Sequence, residues 1–252
     1  MVDLPFRFHH ADLVATPEGA LWWPQQRVLA VADLHFEKGS AFAARGVPLP
    51  PYDTLATVLQ LEGVVSRLQP QRVLALGDSF HDRNAHHRID PSVAERLAAL
   101  VRRLDWLWLV GNHDPEPKGP WGGQIASSAE IGPLSFRHDA SGAMGEVSGH
   151  WHPKARVWVR GGSVARRCFV LTPRHLILPA FGSFTGGLDV RDPALARVIG
   201  PAFEVLMCGR DRVSRLAAER LERPVNTRSA PYRWSATRAG PSQRVVTSEG
   251  DR

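Results

Sequence analysis

Four short segments of the sequence place aspartate, asparagine or histidine directly after an apolar run or a glycine. They are Asp33-Leu34-His35, Gly77-Asp78, Gly111-Asn112-His113-Asp114 and Gly149-His150-Trp151-His152. His138, within Arg137-His138-Asp139, is a further candidate of the same kind. Residues two positions apart, as in the first and last segments, point to the same side of an extended chain. These residue types and spacings predict a polar site assembled from distant parts of the sequence.

The chemistry of this set is that of a site for divalent metal ions. It offers carboxylate, amide and imidazole groups and no thiolate, from Asp33, His35, Asp78, Asn112, His138, His150 and His152. Mixed nitrogen and oxygen ligands suit Mn²⁺, iron or Zn²⁺ and argue against iron–sulfur or zinc–cysteine sites. One catalytic ion uses fewer protein ligands than seven, so we expect two ions that share one carboxylate. Such a pair suits phosphoryl displacement, because it contacts both the attacking and the leaving oxygen.

The elements that must position these ligands can be predicted from hydrophobic patterns. "RVLAVADLH", "RVLALGDSF" and "LDWLWLVGN" are continuous apolar runs, as in parallel strands buried on both faces. Between the first two, a helical pattern ends at Pro70 and has apolar residues at Leu55, Val58, Leu59, Val65 and Leu68. A second helix is predicted with Asp90 as N-cap and Pro91 at its first position. This alternation predicts an α/β fold, in which ligands bind at the carboxyl ends of the strands.

Outside this region the patterns are mostly those of strands. Residues 6–35 read as strands with a hairpin, and short β-like segments after residue 120 predict a second, mainly antiparallel sheet. "VSRLAAERL", residues 213–221, predicts a final helix. From Pro224 onward apolar residues are scarce. We therefore predict one domain over residues 1–222 and a basic, disordered tail over residues 223–252.

Charge and cysteine content restrict the function classes only mildly. Residues 223–252 hold six arginines against Glu249 and Asp251, which is +4 of the total of +6. The remaining, weakly basic body neither requires nor excludes a phosphate-rich partner. We find no apolar stretch of the roughly 20 residues that a membrane helix needs and no signal-peptide pattern. Cys168 and Cys208 suit buried thiols in a reducing compartment, so we predict a cytoplasmic protein.

The order of the motifs resembles the calcineurin-like metallophosphoesterase superfamily. Its signature is D-x-H, G-D, G-N-H-D/E, a single H and G-H-x-H, which this sequence matches over about residues 30–155. The resemblance implies a four-layer α/β/β/α sandwich of two mixed sheets. It also implies that the first ion binds Asp33, His35, Asp78 and His152. The second would bind Asp78, Asn112, His138 and His150, with Asp78 as the bridge.

The same resemblance implies roles for residues beside the metal ligands. His113 would contact the phosphate and assist the leaving group, and Asp114 would orient His113. The form G-D-x-x-H resembles the nuclease branch, in which the histidine, here His81, acts on the nucleic-acid backbone. Protein phosphatases carry G-D-x-x-D-R instead, and here the acid and Arg83 are displaced by one position. Substrate contacts are thus expected from Asn112, His113, His81 and Arg83, although Arg83 also suits a solvated surface.

A wider stretch is similar to the ligase-associated DNA damage response endonucleases. The similar segments are "DLHFEKGSAFAARGVPLPPYDT", "GDSFHD" and "LPAFGSFTGGLDV". This similarity implies a Mn²⁺-dependent phosphodiesterase that acts on DNA in repair and associates with a DNA ligase and a helicase. Two alternatives remain open. One is a phosphodiesterase or phosphatase for cyclic nucleotides or nucleotide pyrophosphates, and the other is an inactive scaffold, against which the complete motif set argues.

Overall fold

Two β-sheets packed face to face carry the ligand segments. The computed structural model describes residues 1–47, 49–50, 52–114, 119–160 and 162–221, so the predicted tail lies outside the described residues. The first sheet has the order β1 to β7: Leu4–Phe8, Ala11–Ala15, Leu21–Trp23, Val28–Val31, Arg72–Ala75, Asp105–Leu109 and Gln124–Ala126. Strands β1 to β4 pair antiparallel, and β4 to β7 pair parallel. The three continuous apolar runs are therefore parallel strands, as predicted.

Three helices follow strands of this sheet. They are α1 (Lys38–Ala43), α2 (Asp53–Leu68) and α3 (Pro91–Arg102). The Asp90 side chain caps α3 by accepting a hydrogen bond from the Ser92 N–H, as the sequence predicts. In α2 the buried stripe includes Val58, Leu61 and Val65. Leu59, which the helical pattern assigns to the buried face, is 46% exposed. Each residue advances about 100° around the helix axis, and this step takes Leu59 away from the face that Leu61 and Val65 share.

The second sheet is mixed. Its strands are β8 (Ser128–Ile131), β9 (Leu134–Arg137), β10 (Glu146–Ser148), β11 (Lys154–Val159), β12 (Gly162–Leu171), β13 (His175–Ile177), β14 (Glu204–Cys208) and β15 (Val213–Ala217). Their order is β15-β14-β12-β13-β10-β9-β8, and β11 pairs with β12 as a hairpin. Among the described strands of this second sheet, β10 pairs parallel with β9 and with β13, and the other pairs are antiparallel. The prediction of a mainly antiparallel second sheet is confirmed.

The predicted helix over residues 213–221 is wrong. Val213–Ala217 forms strand β15, paired antiparallel with β14, and a short 3₁₀ turn at Ala218–Arg220 follows it. Alanine, leucine and arginine favour helices, but that preference is weak, and pairing with an open sheet edge overrides it. The helix in this part of the chain is α4 (Pro193–Ile199), with Asp192 as its N-cap.

Three apolar cores separate the layers. The core between the sheets includes Phe136 and Phe169, the core under α2 and α3 includes Trp106, and the core under α4 includes Leu195. Helices, sheet, sheet and helix thus stack as the predicted α/β/β/α sandwich. Both cysteines are buried and unpaired. None of the helices in the described ranges has the length and apolarity required to cross a membrane.

Candidate metal centre

All the predicted ligands lie at the carboxyl ends of parallel strands or just beyond them. Asp33, Asp78 and Asn112 follow β4, β5 and β6 of the first sheet. His138 and His150 follow β9 and β10 of the second sheet. Because the sheets face each other, these ends meet along one edge of the sandwich. Ligands separated by more than a hundred residues in sequence are thereby brought together.

The backbone at five predicted ligands has left-handed torsion angles. The φ angles are +54° at Asp33, +46° at His35, +47° at Asp78, +69° at His150 and +45° at His152. The expectation that residues 33–35 and 150–152 are extended is therefore wrong. Residues with a Cβ rarely adopt this region, and it is found at functional sites where the surrounding structure enforces it.

One group of donor atoms comes from Asp33, His35 and His152. Their ligand atoms all lie within 4.8 Å of one another. The Nε2 atoms of His35 and His152 are 3.2 Å apart, and Asp33 Oδ1 is 3.4 Å from His152 Nε2. Burial, followed by the charges of His152 and other nearby histidines, lowers the pKa of His35 to about 2. His35 is therefore neutral near pH 7 and retains a lone pair for a cation.

A second group comes from Asp78, His138 and His150, with Asn112 beside them. The three titratable side chains also converge within 4.8 Å. His138 Nε2 is 3.1 Å from His150 Nδ1 and 2.7 Å from Asn112 Oδ1. The Nδ1 atom of His138 lies 2.9 Å from the carbonyl oxygen of Leu76, which can only accept. This contact places the proton on Nδ1 and turns the Nε2 lone pair toward the other donors.

Asp78 lies between the two groups. Its Oδ2 atom is 3.5 Å from His138 Nε2 and 4.0 Å from His35 Nε2. Its Oδ1 atom accepts a hydrogen bond from the His113 backbone N–H at 2.9 Å. One carboxylate thus reaches both groups. Lone pairs of oxygen and nitrogen converge in each group, and this donor set fits two divalent cations that share Asp78.

His113 lies at the exposed side of the centre, beside His81. The His113 side chain is 46% exposed, and its Nε2 atom is 4.0 Å from Asp78 Oδ2. Its Nδ1 atom is 3.2 Å from the carbonyl oxygen of His81, and the two rings stack at 5.6 Å. Nδ1 must donate to that carbonyl, so Nε2 is the atom that faces the centre. Burial, with a smaller effect of Lys38, lowers the pKa of His81.

Asp114 contacts the turn after β5 rather than the His113 ring. Its buried carboxylate accepts hydrogen bonds from the backbone N–H groups of Ser79 and Phe80, at 2.8 and 3.0 Å. Burial raises the pKa of Asp114 to about 7, although these N–H groups act in the opposite direction. The predicted orienting contact to His113 is replaced by one that holds the turn carrying Asp78.

Arg83 is exposed in the turn after His81. Among the described residues it forms no hydrogen bond or ion pair with another predicted site residue, so its predicted substrate contact stays a prediction. Two lysines, Lys38 and Lys154, are not among the predicted site residues; from the sequence, Lys38 suits a solvated surface position. Burial lowers the pKa of Lys38, and the charge of Lys154 acts in the same direction. Their positions, three residues after His35 and two after His152, were the available signal.

The chain is similar to one protein family and to solved structures of known proteins. The family model described as calcineurin-like phosphoesterase matches residues 26–171. The Pseudomonas putida nuclease MPE is similar at 26% sequence identity and a TM-score of 0.65, over 85% of this chain and 100% of that chain. Yfce, a phosphoesterase from E. coli, is similar at 13% identity and a TM-score of 0.37, over 75% of this chain and 98% of that chain. No curated protein matches the chain significantly.

Proposed function

The chain belongs to the calcineurin-like phosphoesterase family, and from this premise we propose that it is a phosphodiesterase that uses two divalent cations to cleave DNA. The observation that carries the proposal is the pair of donor groups around Asp78. The likeness to the Pseudomonas putida nuclease MPE, at 26% identity over 85% of this chain, favours a nucleic-acid substrate. Of the candidate metals, Mn²⁺ is our choice for the mixed oxygen and nitrogen donors, with iron or Zn²⁺ as alternatives.

The residues divide between two cations as follows. Asp33, His35 and His152 would hold one, Asn112, His138 and His150 would hold the other, and Asp78 would contact both. Cations bound there supply Lewis-acid polarisation of the phosphoryl oxygens. In the second group the Leu76 carbonyl fixes the tautomer of His138, and the carboxylates of Asp33 and Asp78 are buried beside the histidines of the two groups. The site is therefore selective for a negatively charged, oxygen-rich substrate.

His113 is the proposed general acid. Hydrolysis of a phosphodiester breaks one P–O bond, and the departing oxygen needs a proton. Because Nδ1–H of His113 donates to the His81 carbonyl, the second proton of the charged ring sits on Nε2, which faces the centre. General acid catalysis of this kind contributes roughly 10²–10⁴-fold to rate. His81 stacks on His113 and is the proposed contact to the backbone of the nucleic acid.

The decisive test uses supercoiled plasmid, with purified protein in Mn²⁺, Mg²⁺ or a chelator. We expect nicking that depends on Mn²⁺ and that is lost in the Asp78→Asn variant, because its amide removes the shared negative charge. Asp12→Asn is the matched control, since Asp12 is exposed on β2 and its ion pair is with the exposed Arg7. Nicking by Asp78→Asn at the rate of the unchanged protein would refute the proposal.

A parallel assay addresses the small-molecule alternative. The same preparations are given bis-p-nitrophenyl phosphate and cyclic nucleotides. Turnover of cyclic nucleotides without plasmid nicking would support phosphodiesterase activity and would show that cyclic nucleotides, rather than DNA, are the substrate. If the unchanged protein hydrolyses none of these esters with any of the metals, the proposal that it is an enzyme is contradicted.

The cellular setting is also part of the proposal. The resemblance of the sequence to ligase-associated endonucleases supports a repair function in the cytoplasm, together with a DNA ligase and a helicase. Two unpaired buried thiols suit a reducing compartment. Co-purification of tagged full-length protein with a ligase from its own cells, under low salt, tests the association. A preparation free of ligase and helicase would contradict it.

A further inference from the structure

A pocket of about 330 Å³ opens beside the candidate metal centre, at His152. We call it the hairpin pocket. One wall is the β11–β12 hairpin, with Lys154, Ala165, Arg166 and Arg167, and the other is the loop of residues 182–186, with Phe184. Its volume is near the lower end of the range of small-ligand sites, about 300–1,000 Å³. His152 belongs both to the metal centre and to this pocket, so the two are adjacent.

The hairpin pocket is positively charged. None of the described residues that line it is acidic, and three are cationic. Arg167 has a structural role, since its Nη1 donates to the carbonyl oxygens of Ala180 and Phe181 at the base of the pocket. Lys154 and Arg166 form no ion pair with any residue in the described ranges. Two cations without acidic partners beside a phosphoesterase centre match the charge of a second phosphate group.

The opposite wall presents an aromatic ring to solvent. Phe184 is 55% exposed and has a left-handed backbone with φ of +57°. The chain on either side is fixed, because the Ser183 N–H donates to Thr57 Oγ1 at 2.9 Å and the Thr185 hydroxyl donates to the Gly182 carbonyl at 2.7 Å. An ordered loop thus holds a large apolar ring in water at the edge of a cationic pocket. Such a ring is suited to stacking on a nucleobase.

We propose that the hairpin pocket binds the nucleotide adjacent to the cleaved phosphodiester, with its phosphate on Lys154 and Arg166 and its base stacked on Phe184. This inference rests on the proposed function and specifies its substrate. A base inside a duplex is stacked on both faces by its neighbours and must be unstacked, at a cost of a few kcal/mol, before it can lie against Phe184. The pocket therefore selects unpaired DNA, such as single strands, gaps or flaps, over intact duplex.

Binding without catalysis tests the pocket directly. Full-length protein in a chelator is titrated against a fluorescent 12-nucleotide strand and against the same strand annealed to its complement, with anisotropy as the readout. Stacking on one aromatic ring contributes about 5-fold or more to single-strand affinity. We therefore expect Phe184→Ala to weaken single-strand binding by at least about that factor and to leave duplex binding unchanged, while Phe184→Trp retains it.

The charge requirement has its own variant and controls. Lys154→Ala should weaken binding of both DNA forms and reduce the slope of log K against log salt by about 0.7 on single strands. Arg102→Ala removes an exposed cation from α3, and Leu59→Ala removes an exposed apolar side chain from α2. Both controls should bind like the unchanged protein. All variants keep residues 223–252, so any contribution of this basic segment is the same throughout.

The outcomes separate the pocket from the proposed function. Equal losses on single strands and duplex in Phe184→Ala, or no loss, would overturn the pocket, as would a failure of the unchanged protein to bind single strands. If Phe184→Ala loses single-strand binding selectively but the unchanged protein cleaves no phosphodiester, the proposed role of the pocket is supported and the proposed enzymatic function is contradicted. If the unchanged protein nicks plasmid but the Phe184 and Lys154 variants bind DNA as it does, the enzymatic function is supported and the proposed role of the pocket is contradicted.

Discussion

Replacement of Asp114 tests how the centre is supported. Its Oδ2 atom accepts hydrogen bonds from the N–H groups of Ser79 and Phe80, and it is 2% exposed. Asp114→Ala leaves both buried N–H groups without an acceptor. Each unsatisfied buried group costs about 1–3 kcal/mol, so the expected loss in the free energy of unfolding is about 2–6 kcal/mol.

Asp114→Asn gives a matched, milder perturbation. The amide oxygen can accept both hydrogen bonds, so the turn after β5 keeps its partners. The amide NH₂ then takes the place of Oδ1, which has no hydrogen-bond partner among the described residues. One unpaired buried donor group costs about 1–3 kcal/mol, which is half of the loss expected for the alanine variant. Loss of the negative charge adds little to this change in the free energy of unfolding. Burial raises the pKa of Asp114 to about 7, so the carboxyl group is already partly protonated near neutral pH.

Urea denaturation in a chelator measures these differences, with unchanged slope as the condition for comparing midpoints. Asp139→Ala is the control, since Asp139 is exposed, and it should remain within about 0.5 kcal/mol of the unchanged protein. Equal stability of Asp114→Ala and the unchanged protein would refute the reasoning. A stable Asp114→Asn with cleavage reduced more than about 10-fold would instead support an orienting effect on His113, as the family resemblance implies.

Further predictions address the close packing, the metals and the acid. A Cβ at Gly111 would overlap the Asp78 backbone nitrogen, so Gly111→Ala should lower the melting temperature. Gly63 lies on α2 with open space around it, so Gly63→Ala should raise the free energy of unfolding by about 0.5–1 kcal/mol. Mn²⁺ at 100 times its Kd should stabilise the chelated protein by about 2.7 kcal/mol in thermal unfolding, and Asp78→Asn should reduce this gain. His113→Asn should slow cleavage about 100-fold or more and retain the gain from Mn²⁺, which calorimetry and nicking assays measure together.

The central part of the fold could be predicted because its patterns are unambiguous. Strands β4, β5 and β6 are continuous apolar runs bounded by charge or glycine, and the Asp90-Pro91 start of α3 is a strong local signal. The pattern of residues 213–221 was ambiguous, since Val213 to Ala217 suits both a strand and a helix. Pairing with the edge of β14 selects the strand, and this pairing is a tertiary contact that cannot be recognised from the local sequence pattern.

The ligand set could be predicted from residue types, but the way in which the chain positions it could not. The left-handed angles at Asp33 and His35 depend on neighbours that are distant in sequence. Residues distant in sequence also form the contact of Asp114 with Ser79 and Phe80. The same is true of the pocket between β11 and residues 182–186. Local patterns gave no reason to place Phe184 beside His152, because only the packed second sheet brings the two segments together.

Backbone hydrogen bonds between the ligand segments explain how the unusual geometry is maintained. The N–H of His35 donates to the carbonyl of Asp78 at 2.9 Å, and the N–H of Gly149 donates to the carbonyl of His138 at 2.9 Å. The N–H of His150 also donates to the Asp33 carboxylate at 3.0 Å, which joins the two sheets. A left-handed residue other than glycine costs about 1–3 kcal/mol, and these contacts provide the compensation. These hydrogen bonds connect backbone atoms and a buried carboxylate, so they hold the ligand segments together through contacts of the chain itself.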